Sequence, residues 1–313
     1  MDLDNRRKKM IISAWTTTTD CIKYGYPILE NIKSMLPLVD EYIIVDGGST
    51  DGTLELIESL NEPKIRIIND EDTKWEYNWD FWRILHNFDR GFQECKGDIV
   101  ICLDADYVIH EDGYDSIRQS FKDMINDNKI ESQYCRYNFM LADRYFFKKD
   151  RTLAVNMKLC RENKLDIKYG IDYENWGWGA EPIVFEKIEN GMNMGKLLGF
   201  YGDILKVNTK IFNYGLIFKE DNLITRSQRF RYRMAEKNTF SKYKRLNWAT
   251  TEDEVWNEYI HGCLKAFEAS KQYPIKLEEH PKIIQEKIAK MTPGQGGYNL
   301  WGNYETASYF KNE

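Results

Sequence analysis

Glu41-Tyr42-Ile43-Ile44-Val45-Asp46-Gly47-Gly48-Ser49-Thr50-Asp51-Gly52-Thr53 is an apolar run of strand length, closed by an acid, a glycine turn and a cluster of hydroxyls and acids. The run predicts a buried strand over Glu41 to Val45, with Ser49 as N-cap of a helix from about Asp51 to Leu60. Outward from it the pattern repeats. Met10 to Trp15 and Ile65 to Ile68 read as strands, Tyr26 to Met35 and Asp80 to Glu94 as amphipathic helices, and Asp98 to Leu103 as a short apolar strand ending in Asp104-Ala105-Asp106. Strands and helices that take turns predict an α/β fold, a mostly parallel central sheet with helices on both faces. In such sheets ligands bind beyond the carboxyl ends of strands, where Asp46 and the Asp104/Asp106 pair both fall.

Composition sets the outer limits. The 313 residues carry 44 Lys+Arg against 50 Asp+Glu, a net charge of −6, with 30% charged residues and a mean hydropathy of −0.62. No apolar stretch approaches the roughly 20 residues that cross a bilayer. Met1 to Lys9 is charged and leads into only Met10, Ile11 and Ile12 before Ser13, so no secretory segment is expected. The expected location is cytoplasmic, with a peripheral membrane position or a virus-infected cell as further settings. The six cysteines, Cys21, Cys95, Cys102, Cys135, Cys160 and Cys263, include no CxxC pair and read as reduced thiols. An aromatic share of 14%, with 9 Trp and 20 Tyr, suits clefts that stack flat rings.

Three Asp-x-Asp triplets occur, at Asp2/Asp4, Asp70/Asp72 and Asp104/Asp106, and only the last follows a buried strand. Two carboxylates fixed at a sheet edge suit a hard divalent cation such as Mg²⁺ or Mn²⁺. An EF-hand is excluded, because Val108 and Ile109 stand where an oxygen ligand and a glycine are needed. The Asp46 turn lacks the spacing of the dinucleotide and P-loop fingerprints, so neither an NAD enzyme nor an NTPase is supported.

Together the Asp46–Thr53 run, the Leu103–Asp106 run and the lead-in Asn31, Ser34, Val39, Asp40, Glu41 resemble the family 2 glycosyltransferases of GT-A fold, over roughly residues 10 to 110. The resemblance implies a nucleotide diphosphate sugar as donor, with Asp46 on the base or ribose, Asp104 on the ribose or metal, and Asp106 on the metal. Many members carry a second acid where this chain has Gly47, beside the base. A UDP-sugar is expected from its frequency in the family. Trp176-Gly177-Trp178-Gly179-Ala180-Glu181 resembles the WGWGGED segment of the β-1,4-galactosyltransferases, with Pro182 in place of its last acid. That likeness implies Glu181 as the base that deprotonates the acceptor in an inverting transfer, with Asp172 and Glu174 in reserve. It also implies Trp178 on the donor and Trp176 on the acceptor. Ile211-Phe212-Asn213-Tyr214-Gly215 resembles the segment where many members complete the metal site with a His, here Asn213. Of the four histidines, His86 is assigned to the donor side.

Arg226, Arg229, Arg231, Arg233, Lys237, Lys242, Lys244 and Arg245 form a basic stretch interleaved with Phe230, Tyr232, Phe240 and Tyr243. If helical, Arg226, Arg229, Arg233 and Lys237 share one stripe. Such a surface suits a donor diphosphate, an anionic membrane or a nucleic acid. Thr251 with Glu254 opens one expected helix and Pro281 a second that ends near Met291; Thr292 to Glu313 is a lid or a tail. The division expected is a nucleotide-sugar-binding catalytic domain over 1–205 and a basic, helical region over 206–313 that completes the acceptor side. The reading is a metal-dependent, inverting glycosyltransferase acting on a carbohydrate acceptor, a glycan or lipid-linked sugar. Two alternatives stay open: a viral enzyme that glycosylates hydroxymethylated pyrimidines of DNA, and an inactive sugar-binding relative.

Overall fold

Isoleucine and valine crowd the first strands because those strands are covered on both faces. The computed structural model describes residues 9–70, 81–141, 144–162, 166–171, 180–185, 187–188, 191–192, 196–197, 203–215, 217–218, 265 and 275–290. Its first half alternates β1 (Ile12–Thr18), α1 (Ile28–Met35), β2 (Glu41–Asp46), α2 (Thr53–Glu58), β3 (Ile65–Asn69), α3 (Phe81–Gln93) and β4 (Ile99–Cys102). These four strands pair in parallel, in the order β3-β2-β1-β4, with Ala14 opposite both Tyr42 and Ile101. Alternation then divides the side chains. Ala14, Tyr42, Ile44 and Ile101 face Ile28, Ile32 and Met35 of α1 in the main core. On the other face α3 lies close against Trp15 and Val45; a Cβ on Gly91 would stand 3.0 Å from the Trp15 ring and 3.2 Å from Val45.

Past β4 come β5 (Tyr107–Ile109), α4 (Tyr114–Asn126), the long strands β6 (Ile130–Met140) and β7 (Phe146–Asn156), and α5 (Met157–Glu162). Then follow β8 (Asp166–Ile171), β9 (Ala180–Phe185), β10 (Lys187–Ile188), β11 (Gly191–Met192), β12 (Lys196–Leu197), β13 (Asp203–Val207), β14 (Ile211–Asn213) and α6 (Lys282–Ala289). The main sheet continues as β4-β7-β6-β14-β5, with β13 also beside β6. β7 is antiparallel to both neighbours, β13 and β14 run parallel to β6, and β5 is antiparallel to β14. β8, β9 and β12 form a small sheet, and β10 pairs with β11. The class is α/β, as expected.

One local expectation is corrected. The N-cap of α2 is Gly52, with φ of 91°, and not Ser49. Asp51 satisfies the first turn by accepting from the Thr53 amide at 3.0 Å and its hydroxyl at 2.6 Å, while Ser49 is committed to Asp46. The main sheet takes in β13 and β14 as far as Asn213. Beyond it, Pro281 precedes α6, whose Ile284 and Ile288 join Met140, Phe146, Phe212 and Tyr214 in a second core. Within that core the buried Tyr214 hydroxyl and His280 Nδ1 share a hydrogen bond of 2.8 Å. The first C-terminal helix and the 292–313 stretch lie outside the described residues.

Candidate active site

The parallel register brings the carboxyl ends of β1, β2, β3 and β4 to one edge, where Thr18 pairs with Asp46 and Asp46 with Asn69. Asp46 is fully buried there. Its Oδ1 accepts from the Thr18 hydroxyl at 2.9 Å and the Ser49 hydroxyl at 2.5 Å. Its Oδ2 accepts from the Gly48 amide at 2.9 Å and the Ser49 amide at 2.7 Å. Four donors fill a carboxylate, so Asp46 shapes the turn rather than presenting an oxygen outward. Gly47, which donates its amide to Thr18 O at 2.8 Å, offers only backbone at the position after it.

The second carboxylate group sits past β4 and is held from two sides. From α1, buried Asn31 donates its amide to Asp104 O at 3.0 Å and Tyr107 O at 2.7 Å, and Ser34 accepts from the Ile109 amide at 3.1 Å. From β7, Arg151 donates Nη1 to Asp104 Oδ2 at 3.2 Å and Nη2 to Cys102 O at 2.8 Å. Its guanidinium lies 4.4 Å from the Tyr107 ring centroid. Asp104 Oδ1 is left buried and accepts no hydrogen bond. Asp106 lies against β14, whose Tyr214 amide donates to Asp106 O at 2.8 Å. A Cβ on Gly215 would fall 2.2 Å from Asp106 Oδ2 and 3.2 Å from Asn213 Oδ1, so both oxygens face one small space that exists because residue 215 has no side chain. Asn213 Oδ1 also accepts from the Gly215 amide at 3.1 Å. Asp104, Asp106 and Asn213 all offer oxygen, the donor type that Mg²⁺ and Mn²⁺ prefer. Among the described residues no group of three His, Cys, Asp or Glu gathers around one point.

Tyrosines wall this set. Burial and the neighbouring carboxylates, Asp106 first, push the Tyr26 phenol up. Burial raises Tyr107 as well, against the pull of Arg151, and Tyr107 meets Tyr137 edge-on at 5.1 Å. These phenols stay neutral hydrogen-bonding groups at any physiological pH.

His86 takes its place on α3, with Nε2 3.8 Å from Asp70 Oδ2, while Arg90 Nη1 approaches the same oxygen to 2.9 Å. The Asp70 amide donates to Asp46 O at 2.8 Å, which sets this cluster beside the Asp46 turn. Asp70 and Arg151 are the two site residues that sequence reading passes over. Asp70 belongs to an Asp-x-Asp triplet without an apolar run of the strength seen before Asp104. Arg151 hides in the charged run Lys148-Lys149-Asp150-Arg151, which looks like a turn and is part of a strand. Glu181 lies on β9 opposite Gly170 of β8, and its side chain is outside the described residues. Asp172, Glu174, Trp176, Trp178, Arg226, Arg229, Arg233 and Lys237 also lie outside them.

No curated protein is similar enough to match. Among solved structures, the mannosyltransferase PcManGT of Pyrobaculum calidifontis, in complex with GDP-Man and Mn²⁺, is similar at 12% identity and a TM-score of 0.43, over 85% of this chain and 77% of that one. TarS of S. aureus is similar at 13% identity and a TM-score of 0.43, over 89% and 53%. Glucosyl-3-phosphoglycerate synthase of Mycobacterium tuberculosis, with Mn²⁺, UDP and glucosyl-3-phosphoglycerate, gives 21% identity and a TM-score of 0.28 over 42% and 44%. The match thus spans about half of TarS and less than half of the synthase. Residues 23–173, just under half of the chain, match the profile of glycosyl transferase family 2, and they include the Asp46 turn, Asp70, Asp104, Asp106 and Arg151. With its acidic residues gathered at the carboxyl edge of a parallel sheet, this segment is a glycosyl transferase family 2 domain and the chain is a glycosyltransferase.

Proposed function

We propose that the chain transfers a sugar from a nucleoside diphosphate sugar to a carbohydrate hydroxyl, a glycan or lipid-linked sugar, with inversion and with help from Mn²⁺ or Mg²⁺. The observation that carries this reading is the approach of Asp106 Oδ2 and Asn213 Oδ1 to one point at Gly215, together with the buried Oδ1 of Asp104 that accepts no hydrogen bond. Asp106 and Asn213 would hold the metal, and Asp104 the metal or the ribose. When bound, the cation neutralises charge on the departing diphosphate. The nucleoside lies over the Asp46 turn, with Gly47 leaving room beside the base and Asp70, Arg90 and His86 at its outer side. Trp178 packs on the donor and Trp176 on the acceptor. Glu181 takes the proton as the acceptor oxygen bonds to the anomeric carbon and the bond to the diphosphate oxygen breaks. Arg226, Arg229 and Arg233 meet phosphates of donor or acceptor.

A thermal-shift panel tests the reading. UDP, GDP, dTDP and CDP are each added with and without Mn²⁺. Ligands that bind only the folded state raise the melting temperature, so one nucleotide should raise it, and more so with the metal. A panel in which no nucleotide moves the transition, with or without Mn²⁺, refutes the proposal.

A further inference from the structure

Arg151 is an arginine in the middle of a strand, with only 6% of its side chain exposed, and both its Nη1 and Nη2 donate to the short stretch after β4. β4 and β7 pair up to Ile101 opposite Ala154 and no further. Beyond that point Nη2 takes the Cys102 carbonyl at 2.8 Å and Nη1 the Asp104 carboxylate at 3.2 Å, so one planar group spans the turn out of β4. Nε points to Thr152 O at 3.3 Å, and the Tyr107 ring covers one face at 4.4 Å. The guanidinium cannot shed its charge or rotate away. Asp104 is therefore held by Oδ2, with Oδ1 buried and accepting no hydrogen bond.

We propose that Arg151 is a positioning residue that aims Asp104 Oδ1 at the donor and offsets one of the two carboxylate charges, so that the metal joins with the nucleotide rather than ahead of it. The inference rests on the proposed nucleotide and metal site. A buried cation paired with Asp104 lowers the pull on a free divalent ion, while the diphosphate supplies the missing negative charge when it arrives. Loss of the charge and loss of the fork then have different signatures.

The test uses the whole chain and two variants, with Mn²⁺ alone followed by electron paramagnetic resonance and the nucleotide from the panel followed by titration calorimetry with Mn²⁺ present. Arg151→Met removes the cation and should tighten Mn²⁺ binding in the absence of nucleotide by about tenfold or more. Arg151→Lys keeps the charge but cannot bridge Cys102 O and Asp104, so it should leave Mn²⁺ alone within about twofold and weaken nucleotide binding by about tenfold. A purely structural arginine would weaken both or neither. Unchanged or weaker Mn²⁺ binding in a folded Arg151→Met protein overturns the inference. If that variant does not fold, Arg151→Lys decides, and nucleotide affinity equal to the wild type overturns it. Wild-type protein that binds neither Mn²⁺ nor any nucleotide overturns the underlying site, and this proposal with it.

Discussion

Filling the space at Gly215 should disable the site while sparing the fold. In Gly215→Ala the new Cβ would stand 2.2 Å from Asp106 Oδ2 and 3.2 Å from Asp106 Cγ. Carbon and oxygen ordinarily approach no closer than about 3.3 Å, so the carboxylate must retreat by about 1 Å. Because the yielding atom ends a side chain, the cost in stability belongs at the low end of overpacking, about 1 kcal/mol, or a few degrees in Tm. Misplacement by about 1 Å at a reacting centre can cost about 100-fold in rate. Mn²⁺-dependent nucleotide binding should fall at least about tenfold by calorimetry, and turnover more steeply. The cycle with Asp106→Ala isolates the cause. With the carboxylate gone, the alanine meets only Asn213 Oδ1, at 3.2 Å, so Gly215→Ala should then cost much less in stability and residual binding than it does in the wild type. If Gly215→Ala binds nucleotide with Mn²⁺ within about twofold of the wild type, Asp106 and Asn213 do not share a ligand there, and the placement of the metal is wrong.

Glu181→Gln keeps size and hydrogen bonding, so it should lower kcat by about 100-fold and hardly change donor affinity; near-normal kcat would direct attention to Asp172. If the acceptor is DNA, labelled duplex should bind with an affinity that falls as salt rises, at a slope near −0.9 per phosphate contact, and Arg229→Ala with Arg233→Ala should flatten that slope by up to about two units. Absence of salt-sensitive duplex binding by fluorescence anisotropy leaves the carbohydrate acceptor. Burial holds the thiols of Cys21, Cys95 and Cys160 and the phenols of Tyr42, Tyr107, Tyr137 and Tyr214 above their ordinary values, Cys160 up to about 12. Unfolded, these groups lose protons near pH 9 to 10 while the folded chain keeps them, so stability is intact below about pH 9 and falls above it, by up to about 1.4 kcal/mol per pH unit for each group. A urea midpoint that does not decline between pH 8 and 10.5 would contradict that burial.

What the sequence made legible is the part whose physics is local. β2 and β4 are buried on both faces, so their apolar runs mark them, and the acids that follow are where α/β sheets collect ligands. That Asn213 lies near Asp106 follows from no local pattern, since nothing in the order of residues brings β14 between β6 and β5. The β6–β7 hairpin was not read at all. Glu131, Ser132 and Gln133 are buried in β6 although they are polar, and Lys148 to Arg151 look like a solvated turn. A strand that interrupts its alternation with buried polar groups leaves no period to detect. Asp46 is a third kind of case: the end of a buried strand marks it in the sequence, yet its four hydrogen bonds can be seen only once the Gly48–Ser49 backbone has closed around it.

The position of β14 has a consequence for the order in which the protein becomes competent during synthesis. Asp104 and Asp106 leave the ribosome with the parallel half of the sheet, whose partners β1 to β4 have all been made by then. Asn213 and Gly215 come much later, and β5, which follows Asp106 directly, pairs only with β14 among the described strands. Docking that strand closes a long loop, the slow kind of event in folding. A growing chain therefore carries Asp104 and Asp106 for some time without Asn213, which joins them only when β14 docks and His280 fastens Tyr214 behind it.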